Sequence, residues 1–258
     1  NGFFVSPCYF TNNIHVFVFL FIKIGYKISI STNKFMSIFQ ILTSSIGRKI
    51  LMAITGLLLS FFMAFHLLGN LFLFVGEEAF NGYVEKLNGP IVIYFVRIAE
   101  FFLLLFVLSH AYTGILLWYK NRQAKQKGTS YSKENTPQSA RYAVFTGSFV
   151  FIFLVTHWST FWYRFNFESV ESYYRVVLGS EVGFGNPIFS IFYLVAIALL
   201  GYHLKHGFAS AGQTLGIKGT KYEKTYLSIA SLFWFWIPLG FISIPLWFGF
   251  VYNPVTLP

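Results

Sequence analysis

The chain has 258 residues, 55% of them hydrophobic, 22% aromatic and 11% charged, whereas a soluble domain carries roughly 25% charged residues; this composition excludes a water-soluble fold and makes the lipid bilayer the solvent. The net charge of +10 gathers in short interhelical segments, not in a face or stripe that could track phosphates, so topology accounts for it and nucleic acid is excluded as a partner. A single cysteine, Cys8, and the absence of aspartate exclude disulfide frameworks, thiolate metal sites and aspartate-based catalysis, which leaves histidine as the abundant ligand type.

Residues 1–35 form an aperiodic mixture of Phe, Ile, Asn and Lys that starts without methionine. Their apolar run, Val16 to Ile22, is shorter than the roughly 20 residues needed to cross a bilayer, and no basic segment precedes it as in a signal peptide. The stretch reads as a non-native leader, with the native chain beginning at Met36 and one membrane domain occupying 36–258. His15, inside the leader, is set aside.

Hydropathy predicts an all-α integral membrane bundle of five transmembrane helices near 50–75, 92–119, 143–163, 188–212 and 226–251. Between the second and third spans lie Lys120, Arg122, Lys125, Lys127, Lys133 and Arg141 against the lone acid Glu134, so this segment is expected to be cytoplasmic. Arg48 and Lys49, before the first span, and Lys218, Lys221 and Lys224, after the fourth, fall on the same side. The opposite loops carry Glu77, Glu78, Glu85 and Lys86, then Arg164, Glu168, Glu171, Arg175 and Glu181, with no basic excess. The N-terminus is therefore expected inside and the C-terminus outside. Pro238 and Pro245, with Trp234, Trp236 and Trp247, mark the fifth span for kinked packing and interfacial anchoring.

Ionisable side chains inside a membrane are costly and point to function. The first span carries Thr55-Gly56 and then His66, and the third Thr146-Gly147 and then His157, with each histidine eleven residues after its threonine, or three helical turns. Threonine, glycine and histidine then share a face that admits a flat macrocycle or a neighbouring helix, and the expectation is a planar ligand. His110 with Gly114, and His203 with Gly207, repeat a second pattern on the second and fourth spans. The 91 residues from His66 to His157 and the 93 from His110 to His203 fit a duplicated two-helix unit.

Depth assigns the partners. His66 and His157 lie about 21–24 Å from the cytoplasmic ends of their spans, and His110 and His203 about 13–14 Å, so the first two are expected to meet in the outer half and the second two in the inner half. Two facing pairs of neutral imidazoles suit two six-coordinate haem irons and a role in electron transfer, whereas zinc or copper would want three or four ligands at one depth. His206 competes with His203 but lacks its glycine spacing; an interfacial polar role or contact with a haem propionate fits it instead.

Five spans, one histidine on each of the first four, and the two Thr-Gly/His repeats resemble the diheme cytochrome b subunit of succinate dehydrogenases and fumarate reductases over about residues 37–252. Thr55 to Leu67, Gly89-Pro90-Ile91-Val92 and Tyr202-His203-Leu204-Lys205-His206-Gly207 are similar to the single-polypeptide anchors of Bacteroidetes-like bacteria. The resemblance implies a bacterial inner-membrane subunit of a succinate:quinone oxidoreductase complex, with two haem b groups and menaquinone or another quinone as substrate. A flavoprotein subunit would oxidise succinate and an iron–sulfur subunit would pass electrons to this chain, which supplies no succinate site; the resemblance leaves open whether such complexes form dimers.

It implies that His110 and His203 hold the haem proximal to the iron–sulfur subunit and His66 and His157 the distal one. Glu85, five residues before Pro90, resembles the family's quinone-site carboxylate, although a solvated loop glutamate reads equally from the sequence. Glu100, one turn from Arg97, reads either as a neutralised intramembrane pair or as a proton or quinone group. Gly201 stands where one fumarate reductase branch has a membrane glutamate, so a proton path of that kind is not expected. Propionates are expected near Arg48, Lys49, Lys120, Ser44 or Ser45. The rival readings are a haem b subunit of another quinone-linked dehydrogenase, such as a hydrogenase or formate dehydrogenase, and a histidine-lined transporter; the latter would want broken helices around a midplane cavity.

Overall fold

The computed structural model describes residues 40, 44–126 and 142–252, with main chain alone at 124–126. The sequence readings on residues 1–35, Lys127, Lys133, Glu134 and Arg141, and on the Lys125 side chain, lie outside the described residues. The chain divides into two units, Asn1–Arg48 and Lys49–Pro258. In the first, the Ser44 N–H donates to the Gln40 carbonyl at 3.1 Å, and Ser44 Oγ accepts the Gly47 N–H at 2.9 Å, satisfying a first-turn donor that the helix cannot pair itself.

The described residues are all-α, with no strand among them. Helices α1 (Ser45–Asn70), α2 (Phe72–Val75), α3 (Glu77–Leu87), α4 (Val92–Gln126), α5 (Ala143–His157), α6 (Tyr163–Phe167), α7 (Tyr173–Val177), α8 (Pro187–Thr214), α9 (Glu223–Ser231) and α10 (Ile237–Leu246) follow in order. Together with π-helical segments they give five helices long and apolar enough to cross a membrane: Ser45–Val75, Val92–Gln123, Ala143–Phe167, Pro187–Thr214 and Glu223–Val251. The protein is thus a multi-pass membrane protein. The third span runs past the predicted end at 163 because Arg164 and Asn166, which lower the hydropathy, remain helical: Asn166 Nδ2 donates to the Trp162 carbonyl at 2.6 Å, and Arg164 pairs with Glu168 at 3.0 Å.

Burial is inverted relative to a soluble bundle. Large apolar side chains such as Phe65, Phe101 and Ile188 lie on the outside, where lipid would cover them, while Thr55, Ser60, Thr113, Thr146 and Ser190 are buried. Thr55, Ser60 and Thr146 bond back along their own helices, as Ser60 Oγ does to the Gly56 carbonyl at 2.7 Å, and Ser190 Oγ donates to the Phe184 carbonyl ahead of its helix at 2.9 Å. The main chain of the fourth span closely approaches those of the third and of the fifth, while those of the first and second stand further off.

Helix α8 starts at Asn186, whose Oδ1 accepts the Ile188 and Phe189 N–H groups at 2.9 and 3.3 Å, with Pro187 filling a first-turn position that needs no donor. In the fifth span Pro238 has no N–H to give the Trp234 carbonyl. The π-helical segment Leu232–Trp236 precedes it, and Gly201 of α8 packs against that carbonyl; a Cβ at position 201 would lie 3.0 Å from it. The kink expected from Pro238 therefore takes the form of a locally widened helix closely packed on the fourth span. There is no room at 201 for a glutamate.

At one end of the bundle, α3 and α7 form a cap. Asn81 joins them: its Oδ1 accepts the Tyr174 N–H at 2.9 Å and its Nδ2 donates to Ser172 Oγ at 3.0 Å, while Arg175 pairs with Glu77 at 3.0 Å. Tyr174 is buried beneath, near Phe80 and Phe248, and burial, then Tyr252 and Glu77, pushes its phenol up to about 12. Asn81→Ala leaves the Tyr174 N–H without its acceptor and takes one partner from Ser172, whose Oγ keeps the Arg175 N–H, a cost of about 1–3 kcal/mol. The expected result is a lower thermal unfolding midpoint with the histidine sites intact, read by circular dichroism in detergent. At the other, basic end, Gly216 and Gly219 take positive φ of 71° and 82° to close the turn between the fourth and fifth spans.

Candidate functional site: two facing histidine pairs

Each of the first four spans contributes one histidine, and the structure brings them together as the depth argument expects. His66 and His157 face each other with ring centroids 5.6 Å apart and planes at 89°, and His110 and His203 do so at 6.3 Å and 77°. All four are half-buried.

The pair His110/His203 is held by a duplicated arrangement. Thr55 Oγ1 lies 3.2 Å from His110 Nδ1, and Thr146 Oγ1 lies 3.3 Å from His203 Nδ1. Each threonine gives its own proton to its helix, Thr55 to the Leu51 carbonyl at 2.7 Å and Thr146 to the Tyr142 carbonyl at 3.0 Å, so its oxygen is left to accept. An accepting threonine oxygen places the proton on Nδ1 and leaves Nε2 with a free lone pair, the state a metal-ligating histidine needs.

The glycines let a neighbouring helix approach closely, one of the two uses expected of them. A Cβ on Gly56 would lie 3.0 Å from His110 Cε1, and one on Gly147 would lie 3.1 Å from His203 Cε1. The Thr-Gly steps of the first and third spans thus seat the imidazoles of the second and fourth, with a neighbour's histidine against each glycine. Within one span, Thr55-Gly56 and His66 belong to two different pairs, as do Thr146-Gly147 and His157. A Cβ on Gly114 would lie 3.1 Å from Met52 Cε, whereas one on Gly207, one turn after His203, would meet nothing within 4 Å.

The pair His66/His157 sits towards the capped end among aromatic rings. Phe62 and Phe241 lie against His66, and Phe153 and Phe161 against His157, at centroid distances of 5.3–5.7 Å. His157 Nδ1 lies 3.2 Å from the hydroxyl of buried Tyr193, and Asn70 Nδ2 lies 3.4 Å from His66 Nε2. The π-helical segment Trp158–Trp162 begins directly after His157, and such insertions concentrate at functional sites. Tyr193 was not singled out in the sequence; an intramembrane tyrosine ten residues before His203 was the available signal.

Glu100 forms the intramembrane pair that was one of its two readings. Its Oε2 accepts from Arg97 at 2.6 Å and its Oε1 from Trp162 Nε1 at 2.7 Å, and Arg97 also donates to Asn166 Oδ1. The network closes on itself and ties the second span to the third. Glu85 lies exposed on α3, whose other face buries Phe80 and Val84, and is not brought to either histidine pair by any contact. His206 is half-buried on the fourth span, and the neighbouring Lys205 ammonium stacks over Trp234 at 4.8 Å.

Among the described residues, no three or more of His, Cys, Asp or Glu converge as a metal-holding group. Comparison of the chain with protein-family models, with curated proteins and with solved structures found no match in any of the three.

Proposed function

We propose that the chain is the diheme cytochrome b membrane subunit of a succinate:quinone oxidoreductase, with the basic end cytoplasmic, the N-terminus inside and the C-terminus outside. The observation that carries this reading is the pair of histidine pairs. Each pair would hold one iron, since its two imidazoles stand only 5.6 or 6.3 Å apart between ring centroids. Rings nearly at right angles are compatible with this, since each ligand turns freely about its own bond.

With two protein ligands per site, the remaining ligands would come from a bound group, and a tetrapyrrole would supply them. The looser approach of the first two spans and the open space at Gly207 fit a flat group between helices. A bound b haem at each site would supply a one-electron carrier with no vacant position for oxygen. The residues of the chain hold and orient: Thr55 and Thr146 fix the tautomer at the inner site, Tyr193 hydrogen-bonds the outer one, and the phenylalanines around His66 and His157 keep water away. Lys49, Lys120 and Arg122 at the basic end fit both the positive-inside rule and the carboxylates of haem or a docking subunit.

Thr55→Val and Thr146→Val remove a hydroxyl and keep the volume. We expect each to retain the fold and to weaken inner-site haem affinity about 10- to 100-fold, measured by haem transfer to excess apomyoglobin. The reading as a whole is tested by adding succinate to the complex as isolated from membranes. Reduction of the b haems, followed by reoxidation with a naphthoquinone, is expected. Haems that respond to hydrogen or formate instead would assign the chain to another quinone-linked dehydrogenase.

A further inference from the structure

The two histidine pairs are supported unequally. At the inner pair each imidazole faces a threonine oxygen, His110 that of Thr55 and His203 that of Thr146. At the outer pair the described residues bring an oxygen to one ring only: Tyr193 Oη lies 3.2 Å from His157 Nδ1. His66 meets a donor instead, Asn70 Nδ2, at 3.4 Å from its Nε2, and that amide makes its closer bond, at 2.7 Å, to the His66 carbonyl. The second span carries Glu100 ten residues before His110, just as the fourth carries Tyr193 ten residues before His203, but Glu100 is spent on Arg97 and Trp162.

Tyr193 is held in place by its neighbours. It is 3% exposed, and Phe189, Phe153 and Phe184 surround its ring at centroid distances of 4.6, 4.9 and 5.1 Å. The hydroxyl is thus fixed in an apolar cage, where a hydrogen bond is stronger than in water. Ten residues of helix, about 15 Å, separate it from His203, so one helix carries a ligand of the inner pair and the support of an outer one. For His157 to bind iron through Nε2, its Nδ1 must carry the proton, which makes the tyrosine oxygen the acceptor. Such an acceptor increases the basicity of the ligating nitrogen.

We propose that Tyr193 is a positioning residue of the outer site: its oxygen accepts a hydrogen bond from the Nδ1–H of His157, fixes the tautomer and ring angle, and holds the outer haem at a lower reduction potential than an unsupported imidazole would. This rests on the diheme reading above. A more basic ligand favours the ferric over the ferrous state, and hydrogen bonding to an axial ligand is one of the levers a protein has on that balance. The phenol keeps its own proton throughout.

The test uses the whole complex isolated from membranes, with its b haems counted first. Absence of haem would overturn the diheme reading itself, before any variant is considered. Given two haems, the outer one being that lost in His157→Ala, redox titration of Tyr193→Phe is expected to show the outer midpoint raised by about 59 mV, the equivalent of a tenfold change in the oxidised-to-reduced ratio, with the inner midpoint unchanged. Affinity for the outer haem should fall about 10-fold, read by transfer to excess apomyoglobin. Phe192→Leu loosens the same ring cluster and keeps the hydroxyl, so it leaves the outer midpoint in place. An unchanged or lowered outer midpoint in Tyr193→Phe, a shift shared equally by both haems, or an equal shift in Phe192→Leu would each overturn the assignment. Tighter outer-haem binding in Tyr193→Phe would overturn it too, by showing that the hydroxyl donates to Nδ1.

Discussion

Alanine at His66 or at His157 is expected to cost the protein the same one of two b haems, and alanine at His110 or His203 the other. The prediction follows from how the rings face each other. Each imidazole has one opposite partner, at 5.6 Å in the first pair and 6.3 Å in the second, and each pair draws on two different helices. Removing either member would leave one histidine where the proposed site uses two, and no third metal-ligating side chain converges to replace it among the described residues. The double variant within a pair should behave like either single variant, while one variant from each pair should abolish both haems. Low-temperature α-band spectra with haem quantification check this, and size-exclusion profiles confirm that the bundle still assembles.

The second large effect is steric. The backbone of Gly56 packs against His110 and that of Gly147 against His203, so even a single methyl would come to 3.0–3.1 Å of the ring. Alanine requires a shift of a few tenths of an ångström, and leucine cannot be accommodated without moving the imidazole or separating the helices, an overpacking cost of about 1–3 kcal/mol. Gly147→Leu and Gly56→Leu should therefore empty the site of His110 and His203 while sparing that of His66 and His157. The same spectra measure it. Loss of the other haem instead would mean that the glycines face a bound macrocycle, as their placement on the His66 and His157 helices first implies.

That contrast shows what the chain discloses by itself. The five spans are legible because a bilayer demands long, self-satisfied apolar helices; only their ends shift, where Arg164 and Asn166 continue the third helix beyond the apolar run. The partners of the histidines are legible from depth alone, since rise per residue is fixed. The role of Thr55 and Thr146 is not. Eleven-residue spacing puts threonine and histidine on one face, but neighbours on a face need not serve one site, and each hydroxyl turns out to hold a histidine from another helix. Contacts of this kind depend on which helices are adjacent, as does the fit of Gly201 against the carbonyl that Pro238 leaves unpaired. Tyr193 escapes the sequence for the same reason: nothing local connects it to His157. Glu85, a carboxylate in a suggestive position, lies exposed on the cap.

The central claim is that the four histidines hold two haems. Pyridine-haemochrome quantification on the purified complex, paired with a dithionite-minus-oxidised spectrum, counts b haems directly and assumes nothing about family. Two haems per chain is the result expected. Properly assembled protein with no haem would contradict the account and return the four histidines to interhelical hydrogen bonding or to a transport path.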